Sequence, residues 1–560
     1  MGNTEGPMLQ AEQAISQELE GFQRRASAMW RGREKEAVIA LVRALDSVAI
    51  VNMHDRNAGR PLSANRENSR MSSLFGAAPA LRPFLAAVKD QPGGVPWGPS
   101  ASEVTKFAYA YLDCCGKLAH LRRMASLERY GLARTSWTST GLVIELERSA
   151  PELALQFATR SRRVRRSEPL PGGEAPERRW RRVHRRMLSY VDSADGWFIR
   201  YDNDMRIVSE YRRVASDYGA DFLEGEALSP DVHIGDRSFG EWRTACDHAL
   251  GRVLCHIDFA HLLRQKCPTI ALGDVSTIFA RRDDVAAVWM QAGLAAERVA
   301  ATMGALTLDI DGLDEWERAH DFPCPYYIDL GRDFVLLPCF GALSNPYFAL
   351  FRHLRSTYRR DWDRGVDRRE DVFRRDLAEA FAEPRFQVPA HGYRLRRPDG
   401  SVLTDIDAVI LDRYKGRLAL VQLKWHDVFG HSLAERESRR RNLLQANEWV
   451  DRVSTWIGGR DSRAVADELG LQGATSSAPP ALFVIARYTA RFSGERNQDP
   501  RAAWLGWSEI LHGLESGAEA DPLADIPRLV AEMQESFDRR KDFVFEYRFP
   551  GLSVSLRNWA

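Results

Sequence analysis

Apolar positions recur at three- and four-residue spacing over residues 8 to 30, 35 to 54 and 101 to 130, which predicts a helical first third. "KDQPGGVPWGPSAS" (Lys89 to Ser102) interrupts that spacing, and its Pro and Gly content predicts a loop. "TGLVIELE" reads as a short strand, and helical spacing returns at about 204 to 217, 240 to 266 and 283 to 304. "PYYIDLGRDFVLLP" (Pro325 to Pro338) predicts a β-hairpin turning at Gly331 and Arg332, followed by a helix in "NPYFALFRHLRSTYRRDW". A distinct unit begins at Arg368. It has a helix ("REDVFRRDLAEAFAE"), an extended segment ("FQVPAHGYRLRRPDGS") and two apolar strands around "DRYKG". A helical stretch from Ser432 to Ile457, a helix and loop ("AVADELGLQGATSSAPP"), a strand ("ALFVIARYT") and a helix ("AAWLGWSEILHGLE") follow. The order α-β-β-β-α-β-α is that of an α/β unit with one mixed sheet.

Length adds domain number to this picture, because 560 residues exceed one ordinary core. The expected architecture is a multidomain α+β chain. A helical domain over 1–165, a helical middle domain over 185–320 and a hairpin-and-helix connector over 325–365 precede an α/β domain with a mixed central sheet over 366–560. Net charge is +1, so any case for nucleic acid must be local. Arginine supplies most of the basic charge, which makes the few lysines the more informative residues. Seven scattered cysteines without a CxxC pair argue for a reducing compartment, and the N-terminus lacks a signal pattern, so a cytoplasmic location is expected. "EAVIALVRALDSVAIVNM" carries Arg43 and Asp46 within its helical period and is expected to be a core helix, with no membrane association.

Candidate chemistry concentrates in "TDIDAVILDRYKGRLALVQLKWH", Thr404 to His426. Read as pleated strands, Asp405, Asp407, Val409 and Leu411 share one face, and Leu418, Leu420, Gln422 and Lys424 share a face of the next strand. A tight turn over Tyr414 to Gly416 sets Asp407 across from the end of the second strand, beside Gln422 and Lys424. A carboxylate, an amide oxygen and the Leu423 carbonyl are hard ligands that suit Mg²⁺ or Mn²⁺. A lysine one pleat away orients a water or pairs with a phosphate, which fits phosphodiester hydrolysis.

Asp407, fourteen intervening residues, then Gln-Leu-Lys ending an apolar strand resembles the PD-(D/E)XK, or restriction-endonuclease-like, nuclease superfamily. The Mrr-like group, with Gln in place of the second acid, is the nearest form. The resemblance covers about Arg368 to Glu515, a quarter of the chain. It implies a metal-dependent nuclease in which Asp407, Gln422 and Leu423 hold the metal and Asp407, Gln422, Lys424 and Glu370 carry the chemistry. Families of this kind usually supply a Glu from the preceding helix; here Arg374 stands at that position. At about 100° per residue Glu370 falls on the stripe of Phe373, Leu377 and Phe381, whereas Glu379 falls opposite, so Glu370 is the preferred substitute.

The resemblance further implies a nucleic-acid substrate, DNA rather than RNA, as in bacterial restriction or phage-defence effectors. The helical region would serve recognition, regulation or homo-oligomerisation. The competing reading is a helical scaffold that binds a protein partner and carries a degenerate nuclease fold. Arg436, Arg439, Arg440 and Arg441 are expected on a helix beside the site, placed to track a nucleic-acid backbone, although part of that pattern is Glu/Arg helix pairing. Arg160 to Met187 is an Arg-rich stretch around Trp180 that reads as a solvated linker before it reads as a stacking surface. Cys246, His248, Cys255, His256, His261 and Cys267 lack metal-ligand spacing and read as core helix. Leu308 to Glu317 lacks the register of a calcium loop. His426 shares the parity of Lys424 and is a further candidate, at the strand end or already in the loop.

Overall fold

The computed structural model describes residues 9–57, 64–89, 91, 94–147, 176–331, 333–430, 432–492, 497–515, 520–538 and 543–558. The first part of the Arg-rich stretch, with the expected boundary near 165, lies outside these residues, as does Arg332. Within them the chain is mixed α/β, with a helical N-terminal region and mixed sheets in its C-terminal half.

The predicted helices form at Gln10–Met29, Glu34–Asn57 and Ser102–Ser126, and a fourth, Ala64–Val88, forms where no helix was predicted. Gly76 and Gly116 let Ala64–Val88 and Ser102–Ser126 touch backbone to backbone. A Cβ on Gly116 would lie 1.9 Å from the Ser72 carbonyl oxygen, and one on Gly76 2.7 Å from that of Leu112. Gly116→Ala should therefore force these helices apart and cost about 2 kcal/mol or more, read as a lower urea midpoint. Glu34–Asp55 and Ser69–Val88 are long and apolar enough to cross a membrane, but 67% and 78% of their apolar windows are buried inside the protein.

The predicted 240–266 helix runs over Phe239–Lys266. Its start is fixed by Ser238 Oγ, which accepts from the Glu241 amide, while the Glu241 carboxylate accepts from the Ser238 amide at 2.8 Å. Trp180 lies on a helix, Pro176–Tyr190, and packs against Tyr211 and His184, so it is a core-edge residue. The predicted hairpin forms from Tyr327–Asp329 and Phe334–Leu337, with Gly331 at φ +77°.

Asp46 links these parts. It has no exposed surface and accepts from Thr277 Oγ1 at 2.5 Å, Cys339 N at 2.7 Å and Phe340 N at 2.8 Å. One continuous core takes in residues from Ala11 to Trp362 and also Val428, Leu433, Tyr488, Tyr547 and Leu556, so the segments expected as three units before residue 366 share a core with parts of the chain after it.

The C-terminal unit begins with α1 (Arg369–Ala380). Strands β1 (Phe386–Gln387), β2 (Tyr393–Arg396), β3 (Val402–Ile406), β4 (Ala408–Asp412) and β5 (Arg417–Lys424) follow. Helices α2 (Leu433–Leu444), α3 (Ala446–Ile457) and α4 (Ser462–Glu468) lead to β6 (Ala481–Ala486) and β7 (Ala503–Gly506), then α5 (Trp507–Glu515) and α6 (Pro522–Asp538). The sheet order is β1-β4-β5-β6-β7, antiparallel up to β5 and parallel from β5 onward. Its middle strands are apolar on both faces because helices cover both. Val409, Leu418, Leu420 and Val484 meet α3 and α4; Ile410, Val421, Leu423 and Ile485 meet α1, α5 and α6.

Three differences from the expected elements matter. The Ser432–Ile457 stretch is two helices. "AAWLG", expected to open a helix, is the parallel strand β7. The expected unit 366–560 also loses its last strands: Val544–Arg548 and Ser553–Asn558 join Ala133–Thr138 and Gly141–Leu146 in a four-stranded sheet, with Ser553–Asn558 parallel to Gly141–Leu146.

Candidate active site

The β4–β5 turn sets the register. Asp412 Oδ1 accepts from the Tyr414 and Lys415 amides at 2.9 and 3.2 Å, and Gly416 sits at φ +63°. Ala408 then pairs with Val421, and the chain leaves the ladder at Asp407, whose amide donates to the Val421 carbonyl at 3.1 Å. Asp407 thus lies at the break between β3 and β4. Asp405 falls on the other side of that break: it belongs to β3, is exposed and pairs with Arg394 at 3.2 Å. The two aspartates do not share the face that an unbroken strand would give them.

Asp407 is 7% exposed. Its Oδ2 accepts from the Leu423 amide at 2.7 Å and from the Gln422 side-chain amide. Lys424 carbonyl accepts from Arg487 N, on the β6 side, so by strand alternation both main-chain groups of Leu423 face Asp407. Burial pushes the Asp407 carboxyl up to about 7, and the Glu370 carboxylate pushes the same way; the Leu423 amide, Lys424 and Gln422 offset part of this. Lys424 is half-buried, and its ammonium makes no hydrogen bond or ion pair among the described residues. Asp407, Gln422, Leu423 and Lys424 are therefore brought together as the strand pattern predicts.

Glu370 stands at the rim, half-exposed, and pairs with Arg374 at 2.6 Å. Arg374 is buried, and its Nε donates to the Asp407 carbonyl at 2.6 Å while Nη1 reaches Asp371. The residue that departs from the usual Glu is thus a strut between α1 and the Asp407 main chain. Its i,i+4 spacing from Glu370 was the available signal. Glu379 is exposed elsewhere on α1.

The four arginines of α2 separate. Arg436 is 1% exposed, lies over the Phe492 ring and is not a surface group. Arg440 and Arg441 pair with Glu437, and Arg439 pairs with Asp427 at 3.6 Å. Among these, Arg441 is the most exposed. β5 ends at Lys424, so His426 is in the following loop with Nε2 shielded and unpartnered. Burial, with Arg439 and Lys424, pushes its ring down to about 3, and a ring that stays neutral is a poor proton acceptor at neutral pH.

The helical body closes this end of the sheet. Arg369 bridges the Ala227 carbonyl and Asp427, Arg355 pairs with Glu435, and Arg487 pairs with Glu226 at 3.4 Å. The cysteines and histidines of Phe239–Lys266 form no metal-holding group with any other residue among the described ones. No family model, curated protein or solved structure matches the chain.

Proposed function

We propose that the chain is a divalent-metal-dependent nuclease with a restriction-endonuclease-like C-terminal unit, acting on DNA. The observation that carries the reading is the buried Asp407 carboxylate, fixed by the Leu423 amide and flanked by Glu370 and an unpaired Lys424. The order of the sheet supports it: an antiparallel pair carries Asp and Gln-x-Lys at one end, and a parallel strand follows a helical crossover.

The residues fit a hard cation. Burial and the Glu370 carboxylate both disfavour the ionised form of Asp407, and Mg²⁺ or Mn²⁺ would supply positive charge beside it. Asp407, the Leu423 carbonyl and Gln422 would hold it, with Glu370 at the rim; Gln422 must turn its amide so that oxygen replaces nitrogen toward the site. When bound, the metal stabilises charge on the phosphate and acidifies a water. Lys424 offers its ammonium to that water or to the phosphate. Arg374 holds the Asp407 main chain in place and is a positioning residue.

Metal binding must displace the Asp407 proton. Its folded carboxyl ionises near 7, against an ordinary 3.8, so the ionised site is favoured only above that pH. Affinity for Mn²⁺ should rise about tenfold per pH unit up to about 7 and then level off, measured by calorimetry at several pH values. In the metal-free chain the sign is the reverse for stability: the protonated group favours folding at low pH, and that contribution is lost as pH climbs from about 4 to 7.

The Glu370–Arg374 ion pair and the inward Gln422 amide favour a second reading, a helical scaffold with a degenerate site. Incubation of the full chain with plasmid and RNA in Mg²⁺ and in Mn²⁺ separates the two. Metal-dependent cutting supports the nuclease; intact substrates, with no Mn²⁺ binding by calorimetry, support the scaffold.

A further inference from the structure

β2 and β3 form a separate two-stranded ribbon that leads directly into Asp407. Its inner side is anchored: Leu395 and Ile406 are buried in the core around α3, and Trp449 Nε1 donates to the Asp405 carbonyl at 2.8 Å. Its outer side carries Arg394, Arg396 and Arg397, all exposed. Several arginines elsewhere in the unit have carboxylate partners, as in Arg385–Asp412, Arg417–Asp521 and Arg460–Glu468. Arg396 and Arg397 have no ion pair among the described residues. Arg396 Nη1 donates to the Gly400 carbonyl, and Arg397 Nη1 to the Val402 carbonyl and Ser401 Oγ.

The tip is pre-formed. Gly400 N donates to the Arg397 carbonyl at 2.9 Å, Arg397 N to the Ser401 carbonyl at 2.8 Å, and Ser401 N to Asp399 Oδ1 at 2.9 Å. Gly400 takes φ +83°, and Pro398 restricts the position before Asp399. Docking such a tip costs little conformational entropy.

We propose that this ribbon is a duplex-DNA contact that enters the major groove, with Arg396 and Arg397 meeting base edges or phosphates there. A two-stranded ribbon fits a groove about 12 Å wide and about 8.5 Å deep. The tip at Gly400 lies seven residues from Asp407, about 23 Å at about 3.3 Å per residue, so a tip seated in the groove leaves Asp407 outside it. The deep, narrow major groove of duplex RNA excludes the same ribbon. The inference rests on the nuclease reading for what the site does to the DNA, but the contact itself is independent of cutting.

The test is binding of the full chain, in EDTA, to a labelled DNA duplex, an RNA duplex and single-stranded DNA. The wild type should bind the DNA duplex best. The double variant Arg396→Ala/Arg397→Ala should weaken that binding by at least about tenfold and lower the slope of log affinity against log salt by about one to two. Arg24→Ala, which removes charge from the first helix, should leave both unchanged. An unaltered thermal midpoint shows that the double variant is folded, as expected for an exposed tip. Equal binding by wild type and double variant, or an equal preference for duplex RNA, overturns the proposal. Ribbon-dependent DNA binding without cutting in Mg²⁺ would leave it standing and remove the nuclease reading instead.

Discussion

Asp407→Ala leaves the full chain without measurable metal-dependent cutting of plasmid, and Lys424→Ala slows cutting by about a thousandfold. The first follows because Asp407 is the buried carboxylate beside Gln422 and Lys424, held there by the Leu423 amide at 2.7 Å. Neither Gln422 nor the half-exposed Glu370 replaces a charged ligand at that position. A thousandfold loss corresponds to about 4 kcal/mol of transition-state stabilisation, within what one charged group at a metal-assisted phosphate delivers. The Asp407→Ala protein should remain folded, because removing a carboxyl that burial already disfavours in its charged form exposes no new charge. Thermal midpoints in EDTA check this. Cutting that survives in both variants would remove Asp407 and Lys424 from the chemistry, and with them the proposed site.

Asp46→Ala should be the most damaging single change to stability in the helical body. The substitution strips the acceptor from Thr277 Oγ1, Cys339 N and Phe340 N, all buried, and an unmet buried donor costs about 1–3 kcal/mol. A loss of about 4 kcal/mol follows, visible as a large fall in the denaturation midpoint. Burial holds the Asp46 carboxyl up at about 7 against these donors and Arg43, which pull it down. Because the folded value exceeds the ordinary 3.8, this group favours folding at acid pH, and that share is lost as pH rises through about 7. Asp46→Ala should flatten this slope, measured by unfolding at pH 5 and pH 8.

The site was legible where it depended on local register. Asp407, Gln422 and Lys424 are close in sequence, joined by a short turn, and strand parity alone brings them to one end of the sheet. Asp405 was misplaced because parity assumes an unbroken strand, and the break at Asp407 comes from pairing with β2, a partner that the alternation along β3 does not announce. Arg436 was expected outside because it is charged, yet it is buried over Phe492, a ring contributed from more than fifty positions later. Ala64–Val88 carries Pro79 and Pro83 inside the helix, which weakens its local helical signal, and its packing against Ser102–Ser126 depends on two glycines far apart in the chain. The "AAWLG" strand has helical neighbours on its C-terminal side and becomes a strand only beside β6. Local periodicity carries no record of such long-range pairings.

The return of Ser553–Asn558 to the side of Gly141–Leu146 has a consequence for how the molecule is made. On the ribosome, Gly141–Leu146 emerges some four hundred residues before its parallel neighbour. Until then it pairs on one side with Ala133–Thr138 and presents its other edge, a template for any extended chain nearby. β4 through β7 are all synthesised in that interval, so the C-terminal sheet can assemble before the helical body closes. A chain truncated between residues 515 and 550 would carry the complete β1-β4-β5-β6-β7 sheet on a body with an open edge, and should be more prone to aggregation and proteolysis than the full chain.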